Sequence, residues 1–192
     1  MFCNMAPYIL FFLVVIVVVP LENPAEAGDK GIQRSIEKYD IPDVVLLNQD
    51  GNKVKFKNYL ETDKLVMLNF IYGTCTTICP VLSVSFVNLQ QKIGSDIQKV
   101  RLVSISIDPE NDTPRVMKEY LKRYRAKLGW DFFTGRREDI DKVMRAFNAY
   151  IPNKMSHYPL TLIRSPADGK WARINGLMTS SELMSEYNKA IK

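Results

Sequence analysis

Nine residues, Lys64–Tyr72 (KLVMLNFIY), form an almost unbroken apolar run, and Gly73-Thr74 cuts it off just before Cys75-Thr-Thr-Ile-Cys79-Pro80. A run of that length with β-branched and aromatic members reads as a strand buried on both faces, which requires a sheet covered on both sides. From Pro80 to Ile93 the apolar residues Val81, Leu82, Val84, Phe86, Leu89 and Ile93 recur at mostly helical spacing, and Gly94 ends the pattern. Val100–Ile107 is a second buried strand. Strand, helix and strand in this order make a crossover unit with parallel strands.

The flanking elements complete the sheet. Val44–Leu47 and Val54–Phe56 enclose an Asp50-Gly51 turn, a hairpin signal, and Leu160–Ile163 and Trp171–Ile174 enclose a second one at Asp168-Gly169. Thr113-Pro114 places a cap and a first-turn proline before a helix through Val116, Tyr120, Leu121 and Tyr124. Phe132-Phe133 reads as a short strand and Arg137–Phe147 as a helix. Thr179-Ser-Ser-Glu182 is a capping box opening a last helix. The expected fold is α/β and thioredoxin-like: a central mixed β-sheet flanked by helices, with an added N-terminal β-hairpin. Residues 28–42 read as a polar linker and 43–192 as one domain, with no internal repeat.

The N-terminus reads as an address. Tyr8–Leu21 is strongly apolar, yet its fourteen residues span only about 21 Å as a helix, short of the roughly 30 Å hydrocarbon core. Ala25-Glu26-Ala27 follows as a small-x-small site, so residues 1–27 are expected to be a signal peptide cleaved after Ala27. An uncleaved anchor over Met5–Leu21 is the alternative, and only then would the chain touch a membrane. Both readings export the domain to a periplasmic or other extracytoplasmic site. Residues 28–192 carry 26 basic and 19 acidic side chains, a surplus of +7. No basic block or aromatic-basic stripe accompanies it, which argues against nucleic-acid binding.

Cys3 falls in the leader, so the exported domain keeps Cys75 and Cys79 alone, and two thiols four residues apart in an oxidising compartment act as a pair. A four-residue step on a helix would set both on one face, one turn apart. The helix start favours a thiolate and lowers the pKa of Cys75. Two thiolates suit Cu(I) or Zn(II) but need a third ligand. His157 is the chain's single histidine and lies in the connection Ile151–Pro159, which in a thioredoxin fold packs beside the cysteine turn. Duller readings stand beside these: a structural disulfide, a hydrogen-bonded structural histidine, Met155 as a packing or exposed loop residue rather than a weak axial thioether, and Asp108 and Asp112 as residues that order the turn before Pro114. The charges of Glu119–Lys127 read as a solvated helix face.

Several segments resemble the Sco/SenC family of copper chaperones. Phe70–Pro80 is similar to its copper motif, with the CxxxCP ending intact. Val103–Pro114 (VSISIDPENDTP) resembles its S-[IV]-D-P-x-x-D-T-P segment, and Trp130–Gly135 its W-x-x-L-T-G stretch. His157 falls where the family carries its ligand histidine. The likeness runs from about residue 40 to 190 and implies copper, as Cu(I) or Cu(II), held by Cys75, Cys79 and His157. It further implies a metallochaperone that matures the copper-A site of a cytochrome c oxidase or related enzyme. The partners would be the apo copper-A subunit and a second copper chaperone as donor. The other reading is a thiol–disulfide oxidoreductase, with Cys75 and Cys79 as a redox pair that is a disulfide when oxidised. Ser156 replaces the family's Asp before the histidine, which removes a carboxylate able to orient the imidazole. Tyr158-Pro159-Leu-Thr-Leu resembles the X-Pro-Thr step of thioredoxins and implies a cis bond at Tyr158–Pro159.

Overall fold

The computed structural model describes Met1 and residues 31–192. The leader, its cleavage point, the anchor alternative and Cys3 all lie outside the described residues. Among the described residues, eight strands form one sheet in the order β1-β8-β7-β4-β5-β6-β2-β3. At its centre β4 (Leu65–Ile71) runs parallel to β5 (Val100–Ser106), which runs parallel to β6 (Trp130–Thr134). All seven residues of β4 are buried, as a strand covered on both faces requires. The late hairpin, β7 (Leu160–Arg164) and β8 (Trp171–Asn175), pairs antiparallel to the other side of β4. The early hairpin, β2 (Val45–Asn48) and β3 (Lys53–Lys55), pairs through β2 with β6.

Two crossovers set the layers. The helices α2 (Ile78–Ile93) and α3 (Pro114–Arg123) connect successive parallel strands in the same direction, so right-handed crossovers put them on one face. Ser83 of α2 meets the Tyr120 hydroxyl of α3 at 2.8 Å, as that arrangement demands. The last helix, α5 (Ser180–Ala190), lies beside α2, with Asn88 donating to Ser180 at 2.9 Å. Its Thr179 and Glu182 form the expected capping box. The strand period of two assigns the opposite face. Asn69 points towards α2 through Ser104, Trp130 and Phe86, so its neighbour Phe70 points away. There Phe70 meets Phe147, which ends α4 (Arg137–Ala146), at a centroid distance of 6.1 Å.

Two segments differ from their sequence reading. Gln33–Glu37, read as part of a linker, is strand β1, paired antiparallel with β8 from Gln33↔Asn175 to Glu37↔Trp171. Four of its five residues are exposed, so it is an edge strand with no buried face for a hydrophobic pattern to mark. Phe56, read as the end of a strand, instead opens the short helix α1 (Phe56–Leu60) and buries Phe56 and Leu60. Five residues are too few for helical periodicity to show.

Candidate metal centre

The cysteines sit where β4 runs out. The chain turns at Tyr72–Cys75, with the Cys75 N–H donating to the Tyr72 carbonyl at 3.2 Å. Gly73 brings its N–H within 3.1 Å of both carboxylate oxygens of Asp112. A Cβ at Gly73 would stand 2.8 Å from Asp112 Oδ1 and 3.2 Å from Met117 Cε, which explains glycine there. Asp112 also accepts from the Ser106 hydroxyl at 2.5 Å, so it ties the cysteine turn to the end of β5. Asp108, four residues earlier, accepts from Lys154 Nζ at 2.5 Å. These two carboxylates do order the turn before Pro114. They also anchor both candidate ligand loops, one through Gly73 and the other through Lys154.

Cys75 and Cys79 are both free thiols, 8% and 0% exposed. They do not meet as successive turns of one helix, because Cys75 precedes α2 and only Cys79 lies in its first turn. The loop instead folds back until the Cys79 N–H donates to Cys75 Sγ at 3.5 Å, with Thr77 Oγ1 at 3.7 Å. Burial pushes the Cys75 thiol up. Hydrogen bonds from the Cys79 side chain, the backbone at Cys79 and Thr77, and the Thr77 hydroxyl outweigh it and lower the pKa to about 7. The pKa of Cys79 moves the other way, raised by burial and then by the Cys75 sulfur. One sulfur is thus poised as a thiolate and the other holds its proton. Alkylation of the reduced protein by iodoacetamide, followed by mass spectrometry, should label Cys75 with a rate half-maximal near pH 7 and leave Cys79 unlabelled.

His157 follows the short 3-10 turn Lys154–Ser156, capped by Asn153, whose side chain accepts from the Met155 N–H at 2.9 Å. Its Nδ1 lies 3.8 Å from Cys79 Sγ. Nε2 is buried without a hydrogen-bond partner, and Ser156 is exposed, so no neighbouring carboxylate orients the ring. Burial lowers the His157 pKa to about 4, against an opposing pull from the Phe70 carbonyl. The imidazole is therefore a neutral donor at neutral pH.

Between pH 6.5 and about 4 the unfolded chain binds a proton at His157 that the folded chain refuses. Stability of the reduced, copper-free protein is then full above pH 6.5 and falls as the pH drops towards 4, by at most about 3 kcal/mol. Urea titrations across this window check it, and His157→Gln should lose that part of the slope.

The structure brings Cys79 and His157 together and sets Cys75 against Cys79 through the backbone. Among the described residues, no three His, Cys, Asp or Glu side chains close on one metal position. Tyr158–Pro159 is trans, contrary to the thioredoxin resemblance, as are all described peptide bonds. Tyr158 is held outward by its hydroxyl on the Asn148 carbonyl (3.3 Å) and Arg173 (3.2 Å). The Pro159 carbonyl accepts from the Gly176 N–H at 3.0 Å, continuing the β7–β8 pairing, and an extended trans step carries the chain straight into β7. Two site neighbours carry no sequence signal of their own. Tyr72 ends the apolar strand run and Lys154 lies within the connection Ile151–Pro159, yet Lys154 Nζ lies 5.5 Å from the centroid of the Tyr72 ring.

Comparison with known proteins agrees with this architecture. The SCO1/SenC family model matches residues 37–190. The SCO1 protein homolog of Bacillus subtilis is 31% identical over 116 residues, 59% of each chain. SCO1 homolog 1 of Arabidopsis thaliana mitochondria is 33% identical over 55% of this chain and 30% of its own length. The chain thus spans less than two thirds of these relatives. Among solved structures, BsSco, a member of the Sco family of cytochrome c oxidase assembly proteins studied for a disulfide switch, superposes with a TM-score of 0.64 at 28% identity, covering 80% of this chain and 95% of its own. Copper-bound ScoI of Bradyrhizobium japonicum gives 0.62 at 26% identity, covering 77% and 96%. A thioredoxin-like sheet with its thiol pair at the first central turn, matched by the family model over most of the chain's length, makes this protein a member of the SCO1/SenC family.

Proposed function

We propose that this chain binds copper through Cys75, Cys79 and His157 and passes it on during assembly of a cytochrome c oxidase, at the copper-A site of an apo-subunit. The observation that carries this is the contact of a half-buried, neutral imidazole with the inner sulfur, Nδ1 to Sγ 3.8 Å. A neutral imidazole with one nitrogen on the inner sulfur can serve as a ligand. As a structural histidine it is poorly satisfied, because a buried unpaired Nε2 costs about 1–3 kcal/mol. The donor set fits copper: soft thiolates hold Cu(I), and imidazole accommodates Cu(II).

The chain's own residues do the following. Cys75 offers a thiolate close to neutral pH. Cys79 gives up its proton only when the metal arrives. Asp112 and the Asp108–Lys154 ion pair hold the two loops to the same turn. Relatives and neighbours support the reading: copper-bound ScoI has this fold, and BsSco belongs to a family of oxidase assembly proteins. Export through residues 1–27 is part of the proposal, with another copper chaperone as donor.

A second reading rests on the opposite pKa shifts of the two thiols. A nucleophilic Cys75 beside a protonated, buried Cys79 is the asymmetry of an attacking and a resolving thiol. Titration of the reduced protein with Cu(I) and Cu(II), read by competition and by thiolate-to-Cu(II) charge-transfer absorption, tests the copper reading. Stoichiometric binding is expected. Loss of all copper on dialysis, with a potential near the −270 mV of thioredoxin, would favour the reductase.

A further inference from the structure

Met155 is not explained by packing. Of the other described methionines within the fold, Met67, Met117, Met144 and Met178 are buried and Met184 is partly buried, whereas Met155 is 75% exposed. A single exposed apolar side chain is ordinary on a protein surface. This one is fixed in position beside the candidate centre. Its N–H is capped by Asn153, and its Sδ lies 3.8 Å from the Tyr72 hydroxyl, which donates to it. Tyr72 stands against the candidate ligands as well: its ring meets the His157 imidazole edge-on at 6.2 Å between centroids, and its carbonyl accepts from the Cys75 N–H at 3.2 Å. Lys154, bound to Asp108, flanks the same ring. One tyrosine therefore touches both a solvent-facing thioether and the imidazole of the candidate centre.

We propose that Met155 is a transfer ligand, a thioether at the mouth of the site that takes Cu(I) from a thiolate donor and hands it to Cys75. This rests on the copper reading above and adds a fourth sulfur or nitrogen donor to it. A thioether is neutral, soft and weak, so it selects Cu(I) over harder ions and releases it readily. That suits exchange better than storage. In the step, a Cu–Sδ bond forms while the donor thiolate is still attached. The Cys75 thiolate then binds, and the Cu–S bond to the donor breaks. The donor leaves with its electron pair and the Cu–Sδ bond opens. The metal stays Cu(I) throughout, and the proton released when Cys79 joins goes to solvent.

The test uses the full-length reduced protein, Cu(I)–glutathione as donor and bicinchoninate as acceptor, with uptake and release followed by absorbance. Met155→Leu keeps size and apolarity and removes the donor. It should slow exchange in both directions about tenfold while leaving the equilibrium affinity within about twofold, and Met155→His should recover most of the rate. Exchange at the wild-type rate in Met155→Leu would overturn the proposal. So would a parallel loss of affinity, which would make Met155 a resident ligand. Failure of the wild-type protein to take up Cu(I) with its thiols verified as reduced would instead end the copper reading itself, and this proposal with it.

Discussion

Replacing His157 with Ala should lower the copper affinity of the reduced protein by more than about 100-fold, beyond the range that loss of an outer-shell partner produces. The imidazole is the donor that distinguishes this site from a bare dithiol. Its Nδ1 already faces Cys79 Sγ at 3.8 Å, and burial keeps it deprotonated, so the folded protein has borne the cost of preparing the ligand before the metal arrives. Alanine removes that donor and leaves only the two sulfurs. Dithiol chemistry should change much less, because the groups that lower the Cys75 pKa are the Cys79 thiol, the first backbone N–H groups of α2 and Thr77, none of them on the histidine loop. The measurements are a Cu(I) competition titration and a glutathione redox titration on the same pair of proteins. Undiminished copper binding in His157→Ala would remove the chaperone reading and leave the thiol–disulfide one.

The largest effect on stability is expected from Phe147→Ala, a loss of about 3–5 kcal/mol. Phe147 is fully buried. It makes edge contacts with Tyr39 (5.0 Å between centroids), Trp171 (5.1 Å) and Phe70 (6.1 Å). It thereby joins the end of α4 to β8, to β4 and to the segment that follows β1. A cavity there cannot collapse easily, because two of its walls are strands of the central sheet. Arg173 also donates to the Phe147 carbonyl at 2.6 Å, which holds the backbone in place after the ring is gone. Phe70 lies just upstream of the cysteine turn, so the copper site should weaken in step with the core. Urea unfolding reads the loss directly, and calorimetry should show a fall in Tm on the order of 10 °C. A cost below about 1 kcal/mol would mean that the aromatic cluster repacks around the gap.

Much of the architecture was legible because its signals are local. The apolar run of Lys64–Tyr72, the Asp-Gly turns and the Thr113 and Thr179 caps each act through neighbours a few residues away. Gln33–Glu37 was not legible, since an exposed edge strand owes its structure to backbone pairing with β8 and leaves no hydrophobic mark. The lowered pKa of Cys75 followed from its place before a helix, although the two sulfurs meet by loop closure rather than along one helical face. The trans bond at Tyr158–Pro159 shows the limit of resemblance. The likeness of Tyr158-Pro159 to the thioredoxin step implied cis, but the pairing of Pro159 with Gly176 and the outward ties of Tyr158 go with the trans isomer.

Sequence alone determined which donors this protein has: two thiols at a strand-to-helix turn, one histidine and a methionine two residues before it. Tertiary structure decided how they meet. Cys79 and His157 are 78 residues apart, and they touch because the late hairpin pairs with the same central strand that delivers the cysteines. The clamp of Lys154 on Asp108 and of Asp112 on Gly73 is likewise a product of sheet order. Residue identity sets the chemistry available, but contact between distant segments depends on chain closure and burial, which no short window of sequence records.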